Sequence, residues 1–423
     1  MVLGWLIGPV GIHGDISKFY NSVLLEKTDW RFQKVVWFKD LDPSSLLIRG
    51  IVRTLIYGVR CVSAQTEYVK QLLQAKVRKE SSSPLSEEVA NFIRDRFYVD
   101  DGGTSVANLE AAQSLIRETD AALASIKMYV KGWSVSFHSP SPEVSEDGIS
   151  VNFAGMSWMP AIDSYRVKIQ PLHFGKKRRG RLPDDVQMYD GGSMGDFVPK
   201  LLTRRMCSSV SARIYDVPGL LAPLLLKLKF DLRKLIQEDP GWDTPCSEVL
   251  RQVWVDNFQF IEDMRDILYV RCKVPNDARR CTVRIWFLCD GYPDGGMIIA
   301  AYSGFERRDA SWSCQLLCAK NILTPAGWTT PQTELHALSS MANLAAVLSS
   351  SLSSWIEIMH YGSDSSISIA WVAYEKVRLH VFHRLRVANI RNKIQLEELY
   401  HVSGVSECIA VFLVSVWGKR CGT

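Results

Sequence analysis

The run Phe97-Tyr98-Val99-Asp100-Asp101-Gly102-Gly103 constrains this chain most: an aromatic and a β-branched residue lead directly into two adjacent carboxylates and two glycines. The pattern predicts a strand, a tight turn holding the acids, and a second strand, because Asp-Gly is a strong short hairpin signal. The carboxylates would then stand exposed at a rigid hairpin tip. Two such charges about 4 Å apart repel by roughly 4 kcal/mol at an effective dielectric near 20. The pair therefore binds cations, takes up a proton or stays well solvated. A solvated turn accounts for the tetrapeptide alone, and a metal site needs a third carboxylate from elsewhere.

Asp15, in Gly14-Asp15-Ile16-Ser17-Lys18-Phe19-Tyr20, is the candidate. Two-metal phosphoryl transfer needs carboxylates from separate elements converging on cations about 3.5–4 Å apart, since one strand cannot surround both ions. Asp15 with Tyr20 five positions on, followed by Tyr98-Val99-Asp100-Asp101, resembles the palm of a reverse transcriptase. Between them, residues 54–65 are similar to the segment that supports template and incoming nucleotide in the BEL/Pao group of long-terminal-repeat retrotransposons. Ala212-Arg213-Ile214-Tyr215-Asp216-Val217-Pro218-Gly219-Leu220-Leu221-Ala222-Pro223 is similar to a hallmark of the BEL/Pao polyprotein beyond its polymerase palm. Further on, Phe287-Leu288-Cys289-Asp290-Gly291, Pro331-Gln332-Thr333-Glu334-Leu335 and Tyr361-Gly362-Ser363-Asp364-Ser365 resemble the three leading acidic motifs of a ribonuclease-H-like domain. The resemblance covers all but the apolar tail.

It implies an α+β chain made of a palm-like sheet with helices, a connection region and an α/β ribonuclease-H-like domain. Asp15, Asp100 and Asp101 would hold two Mg²⁺ ions, with Mn²⁺ as the alternative. Tyr20 would pack under the sugar and reject a 2′-hydroxyl, or be a buried core tyrosine. Tyr98 and Gln65 would help hold primer and template, or serve packing. Asp290, Glu334 and Asp364 would gather around Mg²⁺, which favours hard oxygen ligands. The implied partners are an RNA template, a DNA primer, an RNA–DNA hybrid and deoxynucleoside triphosphates. Three departures matter. The chain opens just before Asp15, so the fingers strands of a complete enzyme are expected to be missing. Phe137 stands where the family tends to place a lysine, and Val411 where it places a fourth carboxylate. The expectation is a truncated retrotransposon RNA-directed DNA polymerase with a degenerate ribonuclease-H-like domain. The alternative is a catalytically inactive nucleic-acid-binding or interaction relict.

At 423 residues and 47% hydrophobic content the chain can bury more than one core. A net charge of +5 permits a nucleic-acid partner without demanding one. Ten cysteines without a Cys-x-x-Cys pair argue against a zinc site or a secreted disulfide framework, and for a reducing compartment, cytoplasmic or nuclear. The apolar start Met1–Val10 lacks a basic n-region and reads as a strand approach to Asp15. The tail Ile409–Trp417 is half the length of a membrane span, so no membrane partner is expected.

Breaks in the pattern divide the chain at about 1–158, 159–278 and 279–423. Apolar residues at helical spacing predict a long helix from Ala107 to Met128, and short strands flank the Pro- and Ser-rich loop at Ser139 to Pro142. Leu220 to Leu235 reads as a helix broken near Pro223. Lys176 to Arg181 packs five basic residues into six positions; it contacts phosphates, is an address signal, or is a solvated loop. The third region reads as strand, strand, helix, strand, helix, with a turn at Pro293-Asp294-Gly295-Gly296 and Pro331 and Thr333 marking a helix start.

Overall fold

The computed structural model describes residues 1–137, 150–175, 182–374 and 378–402. The loop at Ser139 to Pro142, the basic run Lys176 to Arg181 and the segment around Val411 lie outside the described residues. The chain is α+β and forms two compact units, Met1–Phe153 with Met159–Asp163, and Ala154–Trp158 with Ser164–Thr423. The connection region and the ribonuclease-H-like region thus share one unit. Among the described residues no helix is long and apolar enough to cross a membrane.

The first unit opens with helix α1 (Val2–Ile7) where a strand is expected. Trp5, Leu6 and Ile7 are all buried, so no inside-outside alternation marks the segment. Ser105 ties it down: its Oγ donates to the Gly4 carbonyl at 2.6 Å and accepts from the Gly8 N–H at 2.7 Å. Strand β1 (Val10–Ile16) follows, then helices α2 (Val62–Glu80) and α3 (Ser86–Asp95), strands β2 (Phe97–Tyr98) and β3 (Asp101–Val106), helix α4 (Leu109–Ala124) and strand β4 (Val130–Val135). The sheet order is β2-β3-β1-β4, antiparallel throughout. The predicted amphipathic helix is α4, shorter at both ends. Asn108 caps it by accepting from the Ala111 N–H at 2.9 Å. Its stripe of Ala112, Leu115, Thr119 and Leu123 is buried, and Ala112, Leu115 and Leu123 join a core with Ile12, Phe92, Ile93 and Phe97.

In the second unit, helices α5 (Ala222–Glu238) and α6 (Glu248–Asp263) contribute to a core that includes Leu224, Leu228, Trp254 and Phe258. Pro223 stands at the start of α5 rather than breaking a helix. Its missing N–H costs nothing in the first turn, where that group has no intrahelical partner. Just upstream, the Asp216 carboxylate accepts from the N–H groups of Gly219 and Leu220 at 3.0 Å each and of Leu221 at 2.6 Å.

The last region is built from β5 (Val283–Gly291), β6 (Gly296–Glu306), β7 (Trp312–Leu323), α7 (Thr330–Ser351), β8 (Ile356–Ser363), α8 (Ser366–Ala373), α9 (Val381–Arg391) and β9 (Leu399–His401). The sheet order is β7-β6-β5-β8-β9, with β8 parallel to both of its neighbours. The predicted turn joins β5 and β6, with the Tyr292 N–H donating to the Gly296 carbonyl at 2.9 Å. Strand β7, absent from the expected order, runs for 12 residues. Its partners step from Cys318 opposite Ala301 to Leu316 opposite Tyr302, so Leu317 is an extra, bulged residue that breaks the alternation by which a strand is recognised. The Asp216 turn rests on this strand: the Ala319 N–H donates to the Pro218 carbonyl at 2.8 Å. A Cβ on Gly219, at φ +76°, would lie 1.8 Å from the Ala319 oxygen. Val283, Ile285 and Phe287 are fully buried on one face of β5, each stabilising the sheet by about 1.5–3 kcal/mol.

Candidate metal centres

The first cluster follows from strand register. Asp15 near the end of β1 lies directly opposite Asp101, the first residue of β3, and the Ile16 N–H donates to the Asp100 carbonyl at 2.8 Å. Directly paired residues project from the same face of a sheet, so Asp15 and Asp101 share one face and one end. The turn itself is Val99-Asp100, two positions earlier than Asp101-Gly102. Asp101 therefore stands in the strand, and Asp100 alone sits at the tip. Val99 takes up φ 60°, a conformation that a β-branched residue rarely adopts and that stores strain of about 1–3 kcal/mol. The glycines serve ring packing instead of the turn. A Cβ on Gly102 would come within 2.4 Å of the Phe97 ring, and one on Gly103 within 2.4 Å of the Phe153 ring.

Cationic and imidazole groups offset the crowded carboxylates. Lys131 Nζ lies 3.0 Å from each oxygen of Asp15. His13 Nε2 hydrogen-bonds Asp101 Oδ1 at 2.6 Å, and the buried His13 ring meets Phe153 edge-on at 5.2 Å. Burial first, and then the Asp15 and Asp101 charges, hold the Asp100 carboxyl above its ordinary range. From behind, the buried Lys70 of α2 donates to the Phe97 carbonyl at 2.9 Å. None of His13, Lys70 and Lys131 was singled out from sequence. Lys131 reaches Asp15 through an irregularity: Gly14 pairs with Trp133 but Ile16 with Val130, so Asp15 faces both Lys131 and Gly132.

Tyr20, in the short helix Phe19–Ser22, packs edge-on against Tyr57 at 4.6 Å. Burial, and then Asp100, Tyr57 and Tyr98, push its phenol up. Tyr98 is 73% exposed at the hairpin. Gln65 lies in the first turn of α2, where its Oε1 accepts from Cys61 Sγ at 3.6 Å.

The second cluster forms where β5 and β8 end side by side. Cys289 pairs with Ser363 in the parallel ladder, so the following residues, Asp290 and Asp364, are neighbours. A capping box of Thr329 and Gln332 starts α7, with Pro331 in its first turn. A Cβ on Gly291 would approach Thr333 Cγ2 to 2.9 Å, so the glycine lets α7 come close enough to deliver Glu334. Ser365, the cap of α8, donates from its Oγ to Glu334 Oε2. Burial first, and then Asp364, hold the Asp290 carboxyl above its usual range. Burial, and then Asp364 and Asp290, do the same for Glu334 against the opposing Ser365 hydrogen bond. Asp364 Oδ1 is buried without a hydrogen-bond partner.

Both sets of carboxylates offer the hard oxygens that divalent cations favour. In the second cluster one Asp364 oxygen is buried without a hydrogen-bond partner, and in the first the Lys131 ammonium neutralises Asp15. Among the described residues no group of three or more His, Cys, Asp or Glu side chains is placed to hold a metal ion.

Residues 203–365 match the Pao retrotransposon-like RNaseH-like domain family. The foamy viral protease–reverse transcriptase dRH, solved in complex with double-stranded DNA, superposes with a TM-score of 0.52 at 10% identity, over 96% of this chain and 58% of that one. The foamy viral protease–reverse transcriptase solved with an RNA/DNA hybrid gives 0.49 at 10% identity, over 96% and 46%. This chain thus spans less than two thirds of the length of either. No curated protein matches it in sequence.

Proposed function

We infer that this chain, whose residues 203–365 match the Pao retrotransposon-like RNaseH-like domain family and whose fold is similar to that of a viral protease–reverse transcriptase, is a fragment of a retrotransposon RNA-directed DNA polymerase. The observation that carries the reading is the convergence of Asp15 and Asp101 in one antiparallel pair with Asp100 in the adjoining turn. Asp15, Asp100 and Asp101 would hold Mg²⁺ or Mn²⁺. Bound there, the metal supplies activation of a primer 3′-hydroxyl and neutralisation of the leaving pyrophosphate.

The chain's own residues orient that chemistry. Lys70 and the Val99-Asp100 turn hold the hairpin, His13 hydrogen-bonds Asp101, and Tyr20 would pack under the sugar of an incoming nucleotide. Tyr98, exposed at the hairpin, and Gln65 would contact primer and template. In the second unit, Asp290, Glu334 and Asp364 would hold Mg²⁺ against the phosphate of an RNA–DNA hybrid, with Ser365 orienting Glu334. The partners are an RNA template, a DNA primer, the hybrid and deoxynucleoside triphosphates. Free thiols among the described cysteines suit a reducing intracellular setting.

A second reading, a nucleic-acid-binding relict without polymerase chemistry, is favoured by the ammonium of Lys131 on Asp15. Primer extension on a primed RNA template with Mg²⁺ separates the two. Extension abolished by Asp100→Asn supports the polymerase; hybrid binding without extension supports the relict.

A further inference from the structure

We propose that Lys131 is a built-in competitor for the divalent cation at Asp15, so that metal enters the first cluster only by displacing this ammonium. The inference rests on the reading of Asp15, Asp100 and Asp101 as metal ligands, and it adds a residue that tunes their affinity. Lys131 Nζ stands 3.0 Å from both Asp15 oxygens, covering the edge of the carboxylate that a cation would use. The contact is delivered by the break in the β1–β4 register, which sets Lys131 and Gly132 together against Asp15. Such bulges re-aim a side chain. No Cβ contact constrains Gly132 on the other side of that step.

The competitor is displaceable. Lys131 and Asp15 are 56% and 40% exposed, so the pair has the strength of a solvated ion pair and not of a buried one. A contact of that strength raises the apparent dissociation constant of a competing ion about two- to fivefold. It leaves Asp101, held by His13, and Asp100 to supply the remaining oxygens.

The test is Mn²⁺ binding followed by electron paramagnetic resonance on the full chain. Asp290→Asn and Asp364→Asn are included so that the second cluster does not contribute. Lys131→Ala is expected to tighten the Mn²⁺ site about two- to fivefold. Lys131→Arg, whose planar fork matches a carboxylate better, is expected to bind Mn²⁺ no more tightly than the parent chain. Mn²⁺ binding that is lost with Asp15→Asn yet unchanged by Lys131→Ala overturns the competition while keeping the metal site. Mn²⁺ binding insensitive to Asp15→Asn overturns the metal-ligand reading, and the competition with it. Thermal melting of Lys131→Ala, a surface change, checks that the fold is intact.

Discussion

Asp290 and Asp364 follow Cys289 and Ser363, which face each other in a parallel ladder, so two carboxylates end adjacent strands at one level. Cys289 beneath them is buried, and burial pushes its thiol well above the ordinary range. Folding brings these charges together at a cost unless a cation or protons offset it. Replacing Asp364 by Asn should therefore relieve its neighbours. Carboxyl titration by NMR is expected to show the pKa values of Asp290 and Glu334 falling toward their ordinary 3.8 and 4.5 in the metal-free variant. Unchanged values would mean that burial alone raises them.

The same shifts set a pH dependence. Asp290 and Glu334 have folded pKa values above their unfolded ones, so between the two values the folded chain binds more protons than the unfolded chain. Stability then falls as pH rises from the unfolded pKa values, near 4, through the raised folded ones, and the loss is complete above them. Urea midpoints for the metal-free chain should decline over that window. The Asp290→Asn, Glu334→Gln double variant should show a shallower decline, and Mg²⁺ should restore stability at neutral pH by binding the folded state.

Gly219→Ala tests the docking of the Asp216 turn on β7. The backbone there needs φ +76°, and the added Cβ would meet the Ala319 carbonyl oxygen at 1.8 Å. Backbone on both sides leaves no flexible group to yield. Left-handed strain and overpacking together predict a loss of about 2–6 kcal/mol in urea unfolding. This turn is the physical content of the 212–223 motif, whose Asp216 satisfies three backbone N–H groups.

Lys70→Met removes the donor to the Phe97 carbonyl while keeping the length of the side chain. A buried acceptor that loses its partner costs about 1–3 kcal/mol. Hydrogen exchange is expected to quicken across residues 97–103, more than at α4. Uniform quickening across the first unit would instead mark a global loss of stability.

Legibility followed chemistry more than geometry. The six carboxylates are legible only as ordered motifs resembling a reverse transcriptase palm and a ribonuclease-H-like domain, since each acid alone reads as a turn, a cap or a surface charge. The turn was misplaced because Gly102 and Gly103 carry a hairpin signature while serving the Phe97 and Phe153 rings. Helix α1 carries no helical period because Trp5, Leu6 and Ile7 are all buried, and β7 carries no clean strand period because of the bulge at Leu317. His13, Lys70 and Lys131 carry no local pattern. Their partners lie 88, 27 and 116 residues away, and only the folded register brings them together.

Binding and cleavage of an RNA–DNA hybrid should separate in the second unit. On the proposed function, cleavage would depend on a cation held by Asp290, Glu334 and Asp364, and losing one ligand would remove charge stabilisation worth several kcal/mol in the transition state. At about 1.4 kcal/mol per tenfold, Asp290→Asn should slow any cleavage by roughly a hundredfold or more. Hybrid recognition rests on groove shape and phosphate contacts. Without metal, moreover, the carboxylates repel the phosphates they would face, so removing one negative charge weakens that repulsion. Metal-free hybrid affinity of the Asp290→Asn chain, measured by fluorescence anisotropy at fixed salt, is expected to equal or modestly exceed that of the parent. A matching fall in affinity and cleavage would show that Asp290 acts by holding the fold, and circular dichroism of the variant would then show the loss directly.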